Sequence, residues 1–208
     1  SESLPVYRYF KAKGAEITAY YWGEPVLPDD IQKTKIERDA EIVGLDDFDI
    51  IVRGPAVHPK QIKTGRLITS LTDIFVKESP TKNIIGVTGT KGKGTTSTLI
   101  AKLIEAQGKK VWLGGNIGKP LLDNLSDIQP ADWVVLEMSA GQLITFSGRI
   151  HIGVCLMVVP EHMDWHTDMD EYSQAKANLF RHQSAEDIAV YFADSEYSTK
   201  IAAVSPGK

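Results

Sequence analysis

A glycine-rich turn between an apolar run and a helical pattern is the segment that most restricts the fold of this chain. Residues 84–96 read IIGVTGTKGKGTT, where Ile84–Thr88 are largely apolar and two lysines follow among three glycines. In a strand, turn and helix of this kind, backbone N–H groups and the positive end of the helix can contact phosphate oxygens. The segment therefore predicts a nucleotide triphosphate site, with a plain structural turn as the alternative.

The loop departs from the strict GxxxxGK(S/T) pattern at two positions. Val87 occupies the place of the first glycine, and Gly94 follows Lys93 where serine or threonine is usual. We therefore expect Thr95, with Thr96 in reserve, to offer the hydroxyl for magnesium. Lys93 is expected to contact the β- and γ-phosphates because it directly precedes the helix. The residues predicted to surround the nucleotide form one continuous stretch, which comprises Gly89, Thr90, Lys91, Gly92, Lys93, Gly94, Thr95 and Thr96.

The composition is that of a globular protein with an ordinary core. The chain has 208 residues, 42% of them hydrophobic, which suffices for one or two domains. It contains neither an apolar run of about 18 residues nor a signal-peptide pattern at its start. A net charge of −4 gives no reason to expect nucleic acid as a partner. Cys155 is the only cysteine and lies in an apolar run, so we expect a reducing cytoplasm and no membrane association.

The spacing of apolar residues predicts alternating strands and helices on both sides of Ser79-Pro80. Before this boundary we expect a helix over 3–13, strands at 17–21, 49–52 and 67–69, a surface connection over 22–40, and a helix to about residue 77. After it we expect strands at 84–88, 110–113, 132–137, 151–159 and 187–192, and helices at about 94–107, 119–125, 168–182 and 195–204. Apolar strands that alternate with helices are typical of a parallel sheet covered on both faces. The predicted fold class is therefore α/β.

Polar residues follow two further predicted strands. Glu137 closes the strand 132–137, and the sequence EHMDWH follows the strand that ends at Val159. Ligands of open α/β sheets bind at the carboxyl ends of the strands, so these groups should meet the glycine-rich loop. A carboxylate there suits magnesium, although Glu137 could also cap a helix or form an ion pair. His162 could be a general base, a hydrogen-bond donor or a surface residue, and its spacing from His166 leaves zinc as an alternative.

Lys176 falls on the apolar side of a predicted helix. Met169, Tyr172, Lys176 and Leu179 lie on one stripe of the helix 168–182, so this lysine should face inward. Its stem could simply lie on apolar surface with the ammonium at the edge. The functional alternative is an amine that faces the phosphate site, either as a cation or after chemical conversion to an anion.

Five segments in this order resemble the Mur ligases. They are GVTGTKGKGTT (86–96), GGNIG (114–118), LEMSAGQL (136–143), PEHMDWH (160–166) and EYSQAKANLF (171–180). The resemblance is strong over 81–195 and weak over 1–80. It implies an incomplete P-loop ATPase domain over 80–208, preceded by a truncated Rossmann-like domain over 1–79 that would hold a UDP-linked substrate.

The resemblance also implies an activity and a set of site residues. Mur ligases form amide bonds in peptidoglycan synthesis with ATP and magnesium, and this sequence is most similar to members that join D-glutamate to UDP-linked muramoyl-alanine through an acyl phosphate. The family's roles transfer to Lys93 for the β- and γ-phosphates, Thr95 and Glu137 for a first magnesium, His162 for a second, and Asn116, Ser139 and Gln142 for the muramoyl substrate. Lys176 matches the lysine that the family carbamylates with CO₂, a change that turns a cation into an oxygen ligand for magnesium.

Two segments of the family pattern have no counterpart in this sequence. The glycine-rich start that helps to hold uridine diphosphate and the carboxy-terminal domain that binds D-glutamate are both missing. We therefore expect a fragment of a longer protein, inactive by itself, whose full-length form is a cytoplasmic monomer. Two alternatives remain. One is a related ligase such as a folylpolyglutamate synthase, although those chains begin much closer to their loop. The other is a nucleotide-binding module without chemistry.

Overall fold

The computed structural model describes residues 3–208 and begins with a small α/β region. Its elements are α1 (Ser3–Ala12), β1 (Thr18–Tyr21), β2 (Gln32–Lys35), β3 (Ile50–Val52), β4 (Leu67–Thr69) and α2 (Leu71–Glu78). β1 pairs with β2 and β3 pairs with β4, both in parallel. The strand β2 lies within the surface connection predicted over 22–40, where no strand was expected. Its sequence QKTK is exposed at every position, so it carries no alternation of apolar residues that could have revealed it.

A five-stranded parallel sheet forms the centre of the rest of the chain. Its strands are β5 (Ile84–Thr88), β6 (Val111–Gly115), β7 (Trp133–Glu137), β8 (Ile152–Cys155) and β9 (Ile188–Tyr191), in the spatial order β6-β7-β5-β8-β9. The helices are α3 (Lys93–Ala106), α4 (Ala140–Leu143), α5 (Met169–Arg181) and α6 (Glu196–Ala202). Within residues 3–208, no helix has the length and apolar character needed to cross a bilayer. The predicted α/β class is confirmed.

Apolar side chains of the central strands alternate between two cores. Val134 and Leu136 lie in the larger core, with α2, α5 and α6, whereas Val135 lies in the second core against α3. The sheet is thus covered on both faces, as the apolar strands predicted. Because Phe75 of α2 is buried in the larger core, α2 packs with the central sheet although it precedes Ser79. The domain boundary after Ser79 stays a prediction.

Three elements after Ser79 also differ from the sequence-based expectation. The strand predicted over 151–159 ends at Cys155, because the backbone from Met157 onward bonds to Thr90 in the loop after β5 instead of to a neighbouring strand. The helix predicted over 119–125 is a single 3₁₀ turn, Leu121–Asn124, that fixes its two leucines in the core. The short helix α4 was not predicted. Its sequence signal is a capping box in which Ser139 and Gln142 bond reciprocally.

A buried carboxylate just before β9, Asp187, is expected to make the stability of the fold depend on pH in the acid range. Asp187 is fully buried and accepts hydrogen bonds from Arg149 Nε at 2.8 Å and the Ser184 amide at 2.6 Å, with His151 Nδ1 at 3.1 Å. Burial alone would raise the pKa of Asp187, but Arg149, Ser184 and His151 together hold it well below its usual range. A lowered folded-state pKa stabilises the fold above the unfolded-state pKa, and this contribution is lost as the pH falls below about 4.

Asp187→Asn is therefore expected to destabilise the protein by about 2 kcal/mol at pH 7. The variant should also lose less stability than the wild type between pH 5 and pH 3, because its side chain does not titrate. Urea unfolding at the three pH values measures both effects. Asp194→Asn, which removes an exposed carboxylate a few residues later, is the control. Parallel pH profiles for the wild type and Asp187→Asn would contradict the assignment.

Candidate active site

The loop after β5 is hydrogen-bonded to the segment that follows β8. The Thr90 amide donates to Met157 O at 2.9 Å, and the Thr90 hydroxyl donates to Val159 O at 3.0 Å. The approach is close because Gly89 has no side chain. A Cβ atom at Gly89 would lie 2.7 Å from Leu156 Cβ, and the φ of 138° also favours glycine. The glycine at this position therefore allows two loops to meet at the carboxyl edge of the sheet.

The helix α3 begins directly at this loop. Gly92 is its N-cap, and the first helical hydrogen bond runs from the Thr96 amide to Gly92 O at 2.9 Å. Lys93 Nζ folds back and donates to Thr90 O at 2.9 Å and to Gly89 O at 3.2 Å. Lys91, in contrast, is 73% exposed and pairs with Glu161 at 2.5 Å. The structure thus places the Lys93 amine over the loop, as expected for the lysine of a phosphate site.

Lys176 points toward the same loop. Its side chain is buried on α5, with 1% of the residue surface exposed, and its Nζ donates to Gly89 O at 3.0 Å. The amine also lies 4.3 Å from the centre of the Tyr172 ring. Burial, and secondly the charge of Lys93, lower the pKa of Lys176 to about 7. The inward orientation predicted from the helical stripe is observed. The amines of Lys93 and Lys176 both donate to Gly89 O.

Glu137 lies beside the first turn of α3. The residue is buried, and its Oε1 accepts a hydrogen bond from Asn116 Nδ2 at 2.8 Å. A Cβ atom at Gly94 would lie 2.9 Å from Glu137 Oε2, so this oxygen faces the residue next to Thr95, whose side chain is exposed. Glu137 is not a helix N-cap, since Ser139 caps α4. An oxygen of Glu137 thus lies beside the residue that precedes Thr95 in the first turn of α3.

The residues predicted to contact the muramoyl substrate are in different surroundings. Asn116 is exposed but bonds to Glu137. Ser139 Oγ accepts a hydrogen bond from the backbone N–H of Gln142 at 3.2 Å. In return, Gln142 Oε1 accepts one from the backbone N–H of Ser139 at 3.0 Å. Gln142 is buried, so in this structure it holds the start of α4. Substrate contact by all three stays a prediction.

A cavity of about 260 Å³ opens beside the loop. The side chains that line it and figure in the predicted site come from the start of α3, from two loops and from α5, namely Lys93, Ser139, His162 and Lys176. His162 has a φ of 58° and a side chain that is 65% exposed. The cavity brings these predicted residues together at the carboxyl edge of the sheet. Glu137 lies outside its lining, nearer to α3.

The zinc alternative has no support in the positions of the two histidines. His162 Nε2 lies 3.8 Å from Glu161 Oε2, whereas His166 is buried with its Nδ1 3.7 Å from Glu171 Oε2. Within the described range, residues 3–208, no three histidine, cysteine, aspartate or glutamate side chains converge as metal ligands. The spacing of four residues does not place the two rings on one helical face, because 162–166 form turns.

One wall of the cavity comes from the amino-terminal region, which sequence reasoning missed. Pro55 and Ala56 line the cavity and follow Arg53. Arg53 is buried, donates to Thr145 Oγ1 at 3.1 Å and also bonds to the Gly141 carbonyl. The only local signal in the sequence is the Gly54-Pro55 pair. It predicts the end of a strand but not that the residues after it line a cavity. These contacts fix the small α/β region against α4.

Comparison with known proteins identifies the family. Residues 87–208, more than half of the chain, match the family described as Mur ligase middle domain. The chain belongs to the Mur ligase family. The matched region of this Mur ligase begins within β5 and includes the glycine-rich loop, Glu137, His162 and Lys176.

Individual relatives match the sequence over nearly its whole length. A UDP-N-acetylmuramoylalanine–D-glutamate ligase of Clostridium kluyveri is 36% identical over 217 aligned positions, which cover 98% of this chain and 47% of that protein. The enzyme of the same name from Acetivibrio thermocellus is 37% identical, and the match covers 98% of this chain and 46% of that protein. This Mur ligase chain therefore spans about half the length of the curated relatives it matches.

A solved structure supports the fold. The UDP-N-acetylmuramate:L-alanyl-gamma-D-glutamyl-meso-diaminopimelate ligase of Neisseria meningitides superimposes with a TM-score of 0.54, covering 95% of this chain and 71% of that one. Sequence identity is 17%, so the likeness supports the fold alone.

Proposed function

We propose that the full-length protein is an ATP-dependent ligase that adds D-glutamate to UDP-N-acetylmuramoyl-L-alanine in peptidoglycan synthesis. The observation that carries the proposal is the convergence of the Lys93 and Lys176 amines on Gly89 O, at the start of α3 and beside a cavity. Two buried or half-buried amines at a helix N-terminus suit an anionic ligand. The names of the relatives that align with 98% of the chain support the choice of substrates.

The loop fits the phosphates of ATP. The N-cap Gly92 has no side chain to occupy the amide groups of the first turn, and Lys93 lies over the loop. Amide groups at a helix start and a lysine amine are the donors that phosphate oxygens require. Thr90, Lys91, Gly94 and Thr96 complete the proposed nucleotide-binding stretch.

The surroundings also fit magnesium held largely by phosphate and water. Glu137 offers an oxygen beside Gly94, and Thr95 offers an exposed hydroxyl. Magnesium in nucleotide sites usually takes one or two protein oxygens and keeps several waters. Bound there, it would neutralise charge on the transferred phosphoryl group. His162 and a carbamylated Lys176 are the proposed residues for a second ion.

In the proposed reaction, the alanine carboxylate of the muramoyl substrate attacks the γ-phosphorus of ATP. The bond to the β-phosphate oxygen breaks, and ADP and an acyl phosphate result. The neutral amine of D-glutamate then attacks the acyl carbon, phosphate leaves, and the amine loses a proton as the amide forms. Lys93 would stabilise the phosphates throughout, while Ser139, which lines the cavity, would orient the substrate.

The remaining assignments concern the whole protein. We infer that residues 1–79 belong to a Rossmann-like domain for the UDP-linked substrate and that 80–208 are part of the ATPase domain, with D-glutamate bound by a further carboxy-terminal domain. Asn116 and Gln142 are proposed as additional contacts of the muramoyl substrate. We further propose a cytoplasmic monomer whose partners are these two substrates.

The nucleotide assignment is tested by Lys93→Ala in the full-length protein. Saturating ATP with magnesium should stabilise the wild type by about 2–3 kcal/mol at a concentration near 100 times the dissociation constant. Lys93→Ala should abolish this stabilisation, because it removes the amine at the start of α3, and the Lys176 amine at Gly89 O is buried on α5 and is not free to replace it. Thermal unfolding with and without nucleotide measures the effect.

Lys91→Ala is the matched control for that experiment. Lys91 contributes its backbone to the proposed stretch, but its amine is exposed and paired with Glu161, so most of the nucleotide-dependent stabilisation should remain. An unchanged shift in Lys93→Ala would contradict the site. Phosphate release that requires both UDP-N-acetylmuramoyl-L-alanine and D-glutamate would support the proposed reaction, whereas dependence on a pterin substrate would favour a folylpolyglutamate synthase.

A further inference from the structure

Glu171 lies where a turn of the amino-terminal region meets the start of α5. Its Oε1 lies 2.7 Å from Lys60 Nζ, and its Oε2 accepts the Thr167 amide at 2.7 Å. Lys60 Nζ also donates to Thr167 Oγ1 at 2.6 Å. One carboxylate thus joins residues that are more than 100 positions apart in the chain, from the two regions that border the cavity.

Two imidazoles face the same carboxylate. His58 Nε2 lies 3.5 Å and His166 Nδ1 lies 3.7 Å from Glu171 Oε2. Both nitrogen atoms are buried, and neither has a hydrogen-bond partner among the described residues. Buried polar atoms of this kind need compensation, and Glu171 is the acceptor that faces both. Its side chain is only 18% exposed, so this is not an ordinary surface ion pair.

A row of rings leads from this carboxylate to the active site. The His58 and Trp165 rings are 4.5 Å apart, Trp165 and His166 are 4.6 Å apart, and His166 and Tyr172 are 5.0 Å apart. Neighbouring aromatic rings at these distances pack with defined relative orientations. Trp165 Nε1 also donates to Ala56 O at 3.3 Å, which ties the row to the cavity wall.

The row ends on two groups of the proposed site. The Tyr172 hydroxyl lies 3.2 Å from Thr90 Oγ1 in the phosphate loop, and the Tyr172 ring lies beneath the Lys176 amine at 4.3 Å. A displacement of His166 would therefore reach both Thr90 and Lys176 through a single ring. Nothing in the proposed reaction requires Glu171, His58 or His166 themselves to touch a substrate.

We propose that Glu171 is a positioning residue, which holds His58 and His166 so that the ring row fixes the phosphate loop and the Lys176 amine relative to the amino-terminal region. The catalytic part of this inference rests on the proposed ligase function. The structural part does not, because it concerns contacts within this chain alone.

The experiment compares Glu171→Gln with Glu196→Gln in the full-length protein. Each change neutralises an acid in the first turn of a helix, but Glu196 is exposed and, within residues 3–208, forms an ion pair only with Lys200 on its own helix. Loss of a residue that orients catalytic groups typically costs about 10- to 100-fold in activity, so kcat of Glu171→Gln should fall by about 10-fold or more. Glu196→Gln should stay within about twofold of the wild type.

Amide hydrogen exchange distinguishes positioning from general stability. Exchange in Glu171→Gln should become faster in 55–61 and 89–95, while the strands of the central sheet keep their protection. His58→Gln should give the same pattern more weakly, and the double variant should be no worse than Glu171→Gln, because the two residues act through one contact.

The outcomes separate the two proposals. Unchanged kcat and unchanged exchange in Glu171→Gln would overturn the positioning role, and so would faster exchange throughout the sheet, which would show a purely structural role. If the wild type neither binds ATP nor releases phosphate, the proposed function fails. The exchange data on 55–61 and 89–95 then decide the positioning inference by themselves.

Discussion

Lys176→Ala is expected to lower the ligase activity of the full-length protein by about 100- to 1,000-fold, the usual cost of removing a charged group aimed at a transition state. The side chain is buried, and its Nζ contacts Gly89 O in the loop that we assign to the phosphates. Left as an ammonium, it would place a positive charge beside the proposed magnesium. As a carbamate, it would offer oxygens to the metal instead.

Chemical rescue distinguishes the two possible charges of this side chain. If Lys176 acts as a carbamate, a small carboxylic acid such as acetate or propionate should restore part of the activity of Lys176→Ala. If it acts as a cation for phosphate, a small amine such as ethylamine should restore activity instead. The measurement is steady-state phosphate release over a range of added acid or amine, with the fold of the variant checked by thermal unfolding.

Lys176→Met is the matched control for the rescue. Methionine keeps much of the buried stem and its contact with the Tyr172 ring, but it leaves no space for an added acid and carries no charge. It should be as inactive as the alanine variant and should not be rescued. Full activity of Lys176→Ala, or equal recovery of both variants, would rule out a role for this side chain in the reaction.

The central sheet could be predicted because its strands carry a strong local signal. Ile84–Thr88 is a buried, mostly β-branched run, and Trp133–Glu137 is a mostly apolar run buried from its second residue on. The predicted positions of both agree with the structure to within one residue. The inward orientation of Lys176 followed from helical spacing in the same way, since its stripe shares the helix with Tyr172 and Leu179. In both cases the information lies within a few residues of the position concerned.

The cavity wall and the cluster around Glu171 could not be predicted, because their contacts join distant parts of the chain. Lys60 and Thr167, for example, are 107 positions apart. Neither His58 nor Glu171 lies in a pattern that would distinguish it from a surface residue. The early end of β8 has the same cause: the apolar residues up to Val159 suit a strand, but their backbone bonds to Thr90 after Cys155.

The position of Glu137 depends on a glycine in the neighbouring strand. Gly115, the last residue of β6, has a φ of 97°, and a Cβ atom there would lie 2.1 Å from Glu137 O and 2.9 Å from Glu137 N. These are backbone atoms of a central strand, so they cannot move aside as the end of a flexible side chain could. A side chain at Gly115 is therefore expected to displace Glu137 from its place beside Gly94.

Gly115→Ala is consequently expected to destabilise the protein by about 3–4 kcal/mol, of which about 1–2 kcal/mol comes from the left-handed backbone and the rest from overpacking. Gly108→Ala is the matched control, because Gly108 has a φ of 71° but no atom within 4 Å of the added Cβ. It should cost about 1 kcal/mol from the backbone alone.

Urea unfolding of the two variants measures the difference between them. Gly115→Ala should in addition lose most of the stabilisation by ATP with magnesium, because the Glu137 oxygen beside α3 is displaced, whereas Gly108→Ala should keep it. Equal destabilisation of the two variants would show that β6 can move away from β7 at Gly115. In that case the position of Glu137 would not depend on the close contact between these strands.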